Sequence, residues 1–334
     1  MQNVVVGKND AGQRLDKFLE KNYRLLPKTL LYKSIRLKKI KVNRKRAEPG
    51  TVLAEGDTVS LFLKDELLAV DAPDDAFRQV SPRLKIVYED DNLILCNKRP
   101  GLLVHADAED SPDTLINQIK AYLWKKGEYV PEQEHAFAPA LCNRIDRNTG
   151  GIVIAAKNAE ALRVMNEWIR TGAVDKRYLC AAHGIFRERE GILRAYLKKD
   201  SVTNRVSVFD RKTTDSPEVK EIRTEYRVLA ERPDYPGGGL SLCEIRLLTG
   251  RTHQIRAHLA SVGHPLLGDG KYGVNQEDRR AGYRFQSLYS YRLSFHPAEP
   301  SALSYLDGLT VTADRESIWF LREFPDFAGA GGKP

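Results

Sequence analysis

At 334 residues the chain exceeds the size at which one hydrophobic core usually stops growing, so two domains are expected. Hydrophobic residues at 42% and aromatics at 8% suit a globular protein, and no apolar stretch approaches the roughly 20 residues that span a bilayer. The net charge of +8 lies in residues 1 to 65, where fifteen lysines and arginines face seven acids, and a local excess of this kind attracts a polyanion.

The opening MQNVVVGKND has no basic start, long apolar run or small-residue cleavage site. Nothing in it marks the chain for export, and a cytoplasmic location is expected. Leu15, Phe18 and Leu19 fall at helical spacing, and after Leu26-Pro27 a second helix is expected around Leu30, Leu31 and Ile35. Ile40 and Val42, a polar turn at Asn43, the breakers Pro49-Gly50 and Gly56-Asp57, and the alternation Val59, Leu61, Leu63 then predict a small antiparallel sheet. Every charge from Lys28 to Arg46 is positive, so Lys33, Arg36, Lys38, Lys39, Lys41, Arg44, Lys45 and Arg46 would present one basic surface. The segment Gly12 to Leu19, with Ile40-Lys41-Val42-Asn43 and Gly56-Asp57, resembles the RNA-binding domain named after small-subunit ribosomal protein S-four. Residues 1–65 are therefore expected to be a small α/β RNA-binding domain.

Residues 66–83 are rich in acids and prolines and read as a linker. Beyond them, short apolar runs (84–88, 93–96, 152–156, 178–182, 242–248) predict strands, and 113–124 and 158–170 predict helices, the second with Asn158 as N-cap and Leu162, Met165 and Ile169 inward. A mixed α+β domain over 84–327 is expected, followed by a flexible tail at 328–334. Cys96, Cys142, Cys180 and Cys243 lie far apart with no CxxC pair, which argues against a disulfide framework and a zinc knuckle.

Two segments carry chemistry. In Asn143-Arg144-Ile145-Asp146-Arg147-Asn148-Thr149-Gly150-Gly151, an extended backbone puts Arg144 and Asp146 on one face and Ile145 on the other. On composition alone this reads first as a structural ion pair beside a glycine turn. In Thr249 to His258, Arg251, His253 and Arg256 gather at the start of a helix whose buried stripe is Ile255, Leu259 and Val262, and its N-terminus favours a phosphate or carboxylate partner. His253 and His258 are five apart rather than four, so no metal is expected.

Taken in order, Leu93 to Lys98 with Gly101 to His105, Asn143 to Gly151, Lys176-Arg177-Tyr178, and Gly250 to His258 continuing to Asp269 resemble the RluA family of RNA pseudouridine synthases. The match covers about residues 84 to 323. The resemblance implies the pseudouridine synthase fold, with a central mixed, mostly antiparallel sheet. It also implies that Asp146 is the catalytic aspartate, Tyr178 the tyrosine packing on the target base, and Arg256 the arginine paired with the aspartate. Arg144 matches the residue that fills the gap left by the extruded nucleotide, and Arg147, Arg251 and His253 are expected to touch RNA. The chain departs from the family at Asn143, usually His, and at Gly150, usually Ser, and Lys98-Arg99-Pro100 replaces a commoner Lys-Pro start.

Pseudouridine formation breaks the ribose–nitrogen bond, turns the uracil, and rejoins it through carbon, so no water is consumed. A glycosidase typically needs two carboxylates; here one can suffice as base or nucleophile. Whether Asp146 abstracts a ribose proton to give a glycal or attacks the sugar is open from the residues, and the resemblance favours the glycal. No cofactor is expected. The expected partner is a structured RNA, with large-subunit ribosomal RNA first and transfer RNA second, and the chain is expected to be a monomer that binds no membrane and no metal. The competing reading is an inactive RNA-binding or ribosome-assembly factor; a nucleoside hydrolase ranks lower, because no motif supplies a second acid.

Overall fold

The computed structural model describes residues 1–334 except 24, 69–74, 106–111, 135–136, 201, 202, 204, 213–215, 274 and 328–334, and for Asn275 the backbone alone. Residues 1–68 close around their own core. Strand β1 (Gln2–Val5) is followed by helices α1 (Leu15–Asn22) and α2 (Lys28–Arg36), and then by β2 (Ile40–Val42), β3 (Lys45–Arg46) and β4 (Thr58–Leu61). The antiparallel sheet runs β1-β4-β2-β3 and puts Val4 opposite Val59 and Ile40 opposite Leu61. Leu15, Phe18, Leu19, Leu31 and Ile35 cover it from the helices. The expected polar turn is the two-residue connection Asn43-Arg44, both at positive φ, the geometry that matches strand twist in a tight hairpin. The Asn43 side chain steadies it by accepting from the Thr58 N–H and donating to Asp57. β1 was not expected: it is a four-residue edge strand with one buried side chain, too short for an alternation to register.

The second unit is a sheet of 11 strands: β5 (Ile86–Glu89), β6 (Leu93–Lys98), β7 (Ala140–Leu141), β8 (Gly150–Ala156), β9 (Val174–His183), β10 (Glu190–Asp200), β11 (Arg205–Phe209), β12 (Val219–Arg232), β13 (Leu240–Leu247), β14 (Leu288–Phe295) and β15 (Thr310–Thr312). Its order is β11-β10-β12-β13-β9-β14-β8-β6-β5, with β7 on β8 and β15 on β14. Among the described residues only β14 and β8 pair in parallel, so the sheet is mixed and mostly antiparallel, as expected. Strand alternation divides the core in two. Leu93, Leu95, Ile152, Ile154, Leu179 and Leu242 face one layer, and Ile94, Cys96, Val153, Tyr178, Cys180 and Ile245 face the other.

Helix α4 (Ala159–Thr171) closes the first layer with Met165 and Trp168, whose burial stabilises by about 1.5–3 kcal/mol each. Asn158 caps it by accepting from the Ala161 N–H, as the sequence predicts, and Gly172 at φ 85° ends it. Helix α3 (Leu115–Lys125), capped by Thr114, and helix α5 (Gln254–Ser261) close the second layer. Val262 does not join the α5 stripe: it lies just past the helix and is 44% exposed. A short helix α6 (Asn275–Arg280) precedes β14.

The stretch expected as a linker is not featureless where it is described. Ala76–Gln79 form a 3-10 turn that buries Phe77 against Trp124 and Tyr129. The two units touch through Asn9, which accepts from the Ala159 N–H at the start of α4 and donates to Glu134. The tail at 328–334 lies outside the described residues.

Candidate active site

The loop between β7 and β8 carries Asp146, and the expected alternation holds: Ile145 is buried in the core while Arg144 is exposed. The Asp146 side chain is 27% exposed. The loop is pinned from behind by Lys98, a fully buried lysine at the end of β6. Its ammonium donates to the carbonyls of Arg147 (2.9 Å), Leu102 (2.9 Å) and Arg99 (3.1 Å), and the Gly101 N–H also bonds Arg147 O. Burial pushes the Lys98 pKa down to about 7, against the pull of Asp146, yet three carbonyl acceptors match the three protons of an ammonium.

Arg256 comes from the first turn of α5 and is buried. Its Nε and Nη2 donate to the two oxygens of Asp269 at 2.7 and 2.9 Å, and its Nη1 reaches Asp146 Oδ2 at 2.8 Å. The bidentate pair fixes the guanidinium plane, so the third N–H is aimed rather than swinging. Asp269, 0% exposed, also accepts from the Lys271 and Tyr272 N–H groups. Burial works against both charges, but the mutual hydrogen bonds and attraction raise the Arg256 pKa and lower that of Asp269. Among the described residues no hydrogen bond is made to Asp146 Oδ1.

The turn into α5 is held by Gln254, which accepts from the Arg251 N–H and Thr249 hydroxyl and donates to Arg223 O and Thr224. His253, the residue before α5, sits at φ 54°, a left-handed conformation uncommon outside glycine. Its Nε2 lies 3.9 Å from Asp146 Oδ2 and its Nδ1 lies 2.9 Å from the Tyr272 hydroxyl. His258, fully buried beside Thr224, is scaffold: burial drops its pKa to about 4.

Tyr178 stands on β9, on the sheet face that carries Ile145, opposite Ser290 of β14. Burial pushes its pKa up to about 12, the Ser290 hydroxyl working against the rise and the Asp146 charge adding to it, so it is a neutral phenol near the carboxylate. Arg144 has no ion pair among the described residues; near it lies His105, whose pKa is lowered by burial and then by Arg144 and Lys120. Arg147 and Arg251 are exposed, and Arg251 does not join the carboxylate cluster.

The departures from the family have local reasons. A Cβ on Gly150 would stand 2.4 Å from the Tyr289 ring, whose hydroxyl donates to Asn97 at 2.6 Å, and one on Gly151 would stand 2.3 Å from Ser290 O. The glycines permit the close parallel pairing of β8 with β14. Asn143 turns its oxygen to the Ile154 N–H, and its buried Nδ2 has no partner. In the other unit Lys33, Arg36, Lys38, Lys39, Arg44, Lys45 and Arg46 are exposed and Lys41 lies over the Phe62 ring; none is ion-paired among the described residues. Lys33, Arg36 and Arg46 line a groove of about 480 Å³ between α2 and residues 47–49.

Sequence reasoning left Asp269, Lys98 and Tyr272 without roles, although Lys98 and Asp269 lie inside quoted motifs. Among the described residues no cluster of His, Cys, Asp or Glu is arranged to hold a metal, and no helix is long and apolar enough to cross a membrane.

The chain is similar to known RNA pseudouridine synthases. The RNA pseudouridylate synthase family matches residues 92–261. An uncharacterized RNA pseudouridine synthase of Mycoplasma genitalium is 32% identical over 321 residues, covering 95% of this chain and 96% of that one. Ribosomal large subunit pseudouridine synthase C of Escherichia coli is 31% identical over 285 residues, covering 83% and 81%. Among solved structures, human RNA pseudouridylate synthase domain containing 4 shares the fold, with a TM-score of 0.53 at 20% identity over 72% of this chain and 92% of that one. This chain therefore belongs to the RNA pseudouridylate synthase family and is an enzyme that isomerises uridine in RNA to pseudouridine.

Proposed function

We propose that Asp146 is the carboxylate that acts on the ribose of a uridine flipped out of a structured RNA, most naturally large-subunit ribosomal RNA in the cytoplasm. The observation that carries this reading is the asymmetry of its carboxylate: Oδ2 is held by Arg256 while Oδ1 has no hydrogen bond among the described residues. Arg256 orients the group and balances its charge, and Tyr178, as a neutral phenol, offers the uracil a flat stacking surface. The other acid of the cluster, Asp269, is sealed and committed to Arg256, so it is not free to activate water. That supports isomerisation over hydrolysis.

Flipping a nucleotide costs a few kcal/mol. Exposed Arg144 at the loop edge is suited to fill the vacated stack, and Arg147, Arg251 and His253 would add contacts to the RNA. Residues 1–65, read as an S-four-type RNA-binding domain, would add phosphate contacts through the basic face of α2 and the β2–β3 hairpin. Residues 66–83 would join them to a catalytic domain over 84–327. The ribosomal target follows from relatives such as those of Haemophilus ducreyi and Escherichia coli, which are named large-subunit synthases. We read the enzyme as a monomer that needs no cofactor.

Carbodiimide labelling with primer extension, applied to total RNA with and without the gene, tests the target. The expected result is one or more sites in large-subunit RNA lost in the deletion strain. Loss confined to transfer RNA would move the substrate there, and no loss anywhere would favour the inactive assembly factor.

A further inference from the structure

His253 and Tyr272 lie at the rim of the carboxylate cluster, and their hydrogen-bond directions can be worked out atom by atom. The Val206 N–H, on β11, donates to the Tyr272 phenol oxygen at 3.0 Å, and a backbone N–H has no other role to play. The phenol therefore spends one lone pair on Val206 and retains a proton that needs an acceptor. His253 Nδ1, 2.9 Å away, is the acceptor in place. A neutral imidazole carries one N–H and one lone pair, so if Nδ1 accepts, the ring proton sits on Nε2. Nε2 faces Asp146 Oδ2 at 3.9 Å. The opposite tautomer would aim a lone pair at a carboxylate oxygen and leave the phenol proton without its partner.

Two further observations hold the pair in place. Arg205 and Arg256 lie over the Tyr272 ring at 5.7 and 5.3 Å, and Arg205 Nη2 bonds Lys271 O at 2.5 Å, clamping the Asp269–Tyr272 turn to the β10–β11 hairpin. His253 is one of only four non-glycine residues at positive φ among the described residues, and the other three lie in the first unit. Burial lowers the His253 pKa, with Asp146 opposing, which favours the neutral ring the relay needs.

We infer that Tyr272 is a positioning residue that fixes His253 as its Nε2–H tautomer, so that this N–H is presented beside Asp146 as a hydrogen-bond donor to a sugar oxygen of the flipped nucleotide. The separation of 3.9 Å is too long for a bond to the aspartate itself and leaves the donor unspent until a nucleotide arrives. This inference rests on the assignment of Asp146 as the group that acts on the ribose. The relay also makes the β10–β11 hairpin part of the site, since Val206 lies 66 residues before Tyr272 in sequence but bonds directly to it.

The test is a long-range proton–nitrogen correlation spectrum of the full chain labelled with 15N-histidine, recorded without RNA, with His253 assigned by its loss in His253→Gln. The expected result is a pyrrole-like Nε2 and a pyridine-like Nδ1; a protonated Nδ1 overturns the inference. In Tyr272→Phe the ring becomes a mixture of tautomers. With total RNA from a deletion strain as substrate, kcat falls by about tenfold with KM unchanged, part of the roughly hundredfold carried by a donor at a reacting centre. A Tyr272→Phe enzyme that loses activity while His253 keeps the wild-type tautomer, or that keeps full activity with a mixed tautomer, also overturns it. If that variant does not fold, the wild-type spectrum alone decides. The spectrum does not depend on turnover, so an active Asp146→Asn enzyme would remove the catalytic assignment separately.

Discussion

At the level of single residues, the geometry of the site rests on a second, fully buried carboxylate. Asp269 holds Arg256 by two bonds and leaves one N–H for Asp146. Asp269→Asn keeps the shape but takes from the buried guanidinium the carboxylate that holds it by two bonds, leaving Asp146 as its charge partner. Removing one partner of such a pair costs up to about 3–5 kcal/mol. Denaturant melts should show a loss of that order, together with a fall in kcat on RNA; a variant as stable and active as the parent would contradict the role given to Asp269. His258 gives a pH signature. Its folded pKa of about 4 lies below its ordinary 6.5, so the unfolded chain binds the extra proton first. The stability it contributes is complete above pH 6.5 and drains away as the pH falls towards 4, by on the order of 3 kcal/mol. His258→Gln should flatten that part of the stability–pH curve, and an unchanged slope would show that another group titrates there.

At the level of elements, Lys33, Arg36 and Arg46 on the face of α2 and the β2–β3 hairpin form no ion pair among the described residues, so the affinity of this face for RNA should be released by salt. Replacing Lys33, Arg36 and Arg46 together by alanine should reduce the slope of log K against log salt by about 2–3. An unaltered slope would place the RNA elsewhere. How legible each element is in sequence follows from its surroundings. β6 and β8 are buried on both faces and read as continuous apolar runs, which the sequence displays directly. β10, β11 and β12 alternate buried with charged residues, as in Val219–Arg232, and were not expected; their pairing with one another and with β13, and the cover of α5, make them strands. Asn158 was legible because a cap is a local event, whereas Val262 was not, because where a helix stops decides what it buries.

At the level of the whole molecule, the site is assembled from segments far apart in the chain: Lys98 from β6, Asp146 from a loop, Tyr178 from β9, Arg256 from α5 and Asp269 from the turn beyond it. Motifs in sequence show that these segments belong together, and the structure adds which atoms meet. The pairing of Arg256 with Asp146 was expected through the family resemblance. Its stronger tie to Asp269, and the burial of Lys98 behind the loop, are facts of packing that no spacing reveals. Under the proposed reading two units, one small with a basic surface and one built on the large sheet, divide holding RNA from changing it. The most direct test of that division is Asp146→Asn, assayed for RNA binding and for pseudouridine in total RNA from a deletion strain. The account predicts binding close to wild type and no pseudouridine formed; substantial turnover by the variant would contradict it.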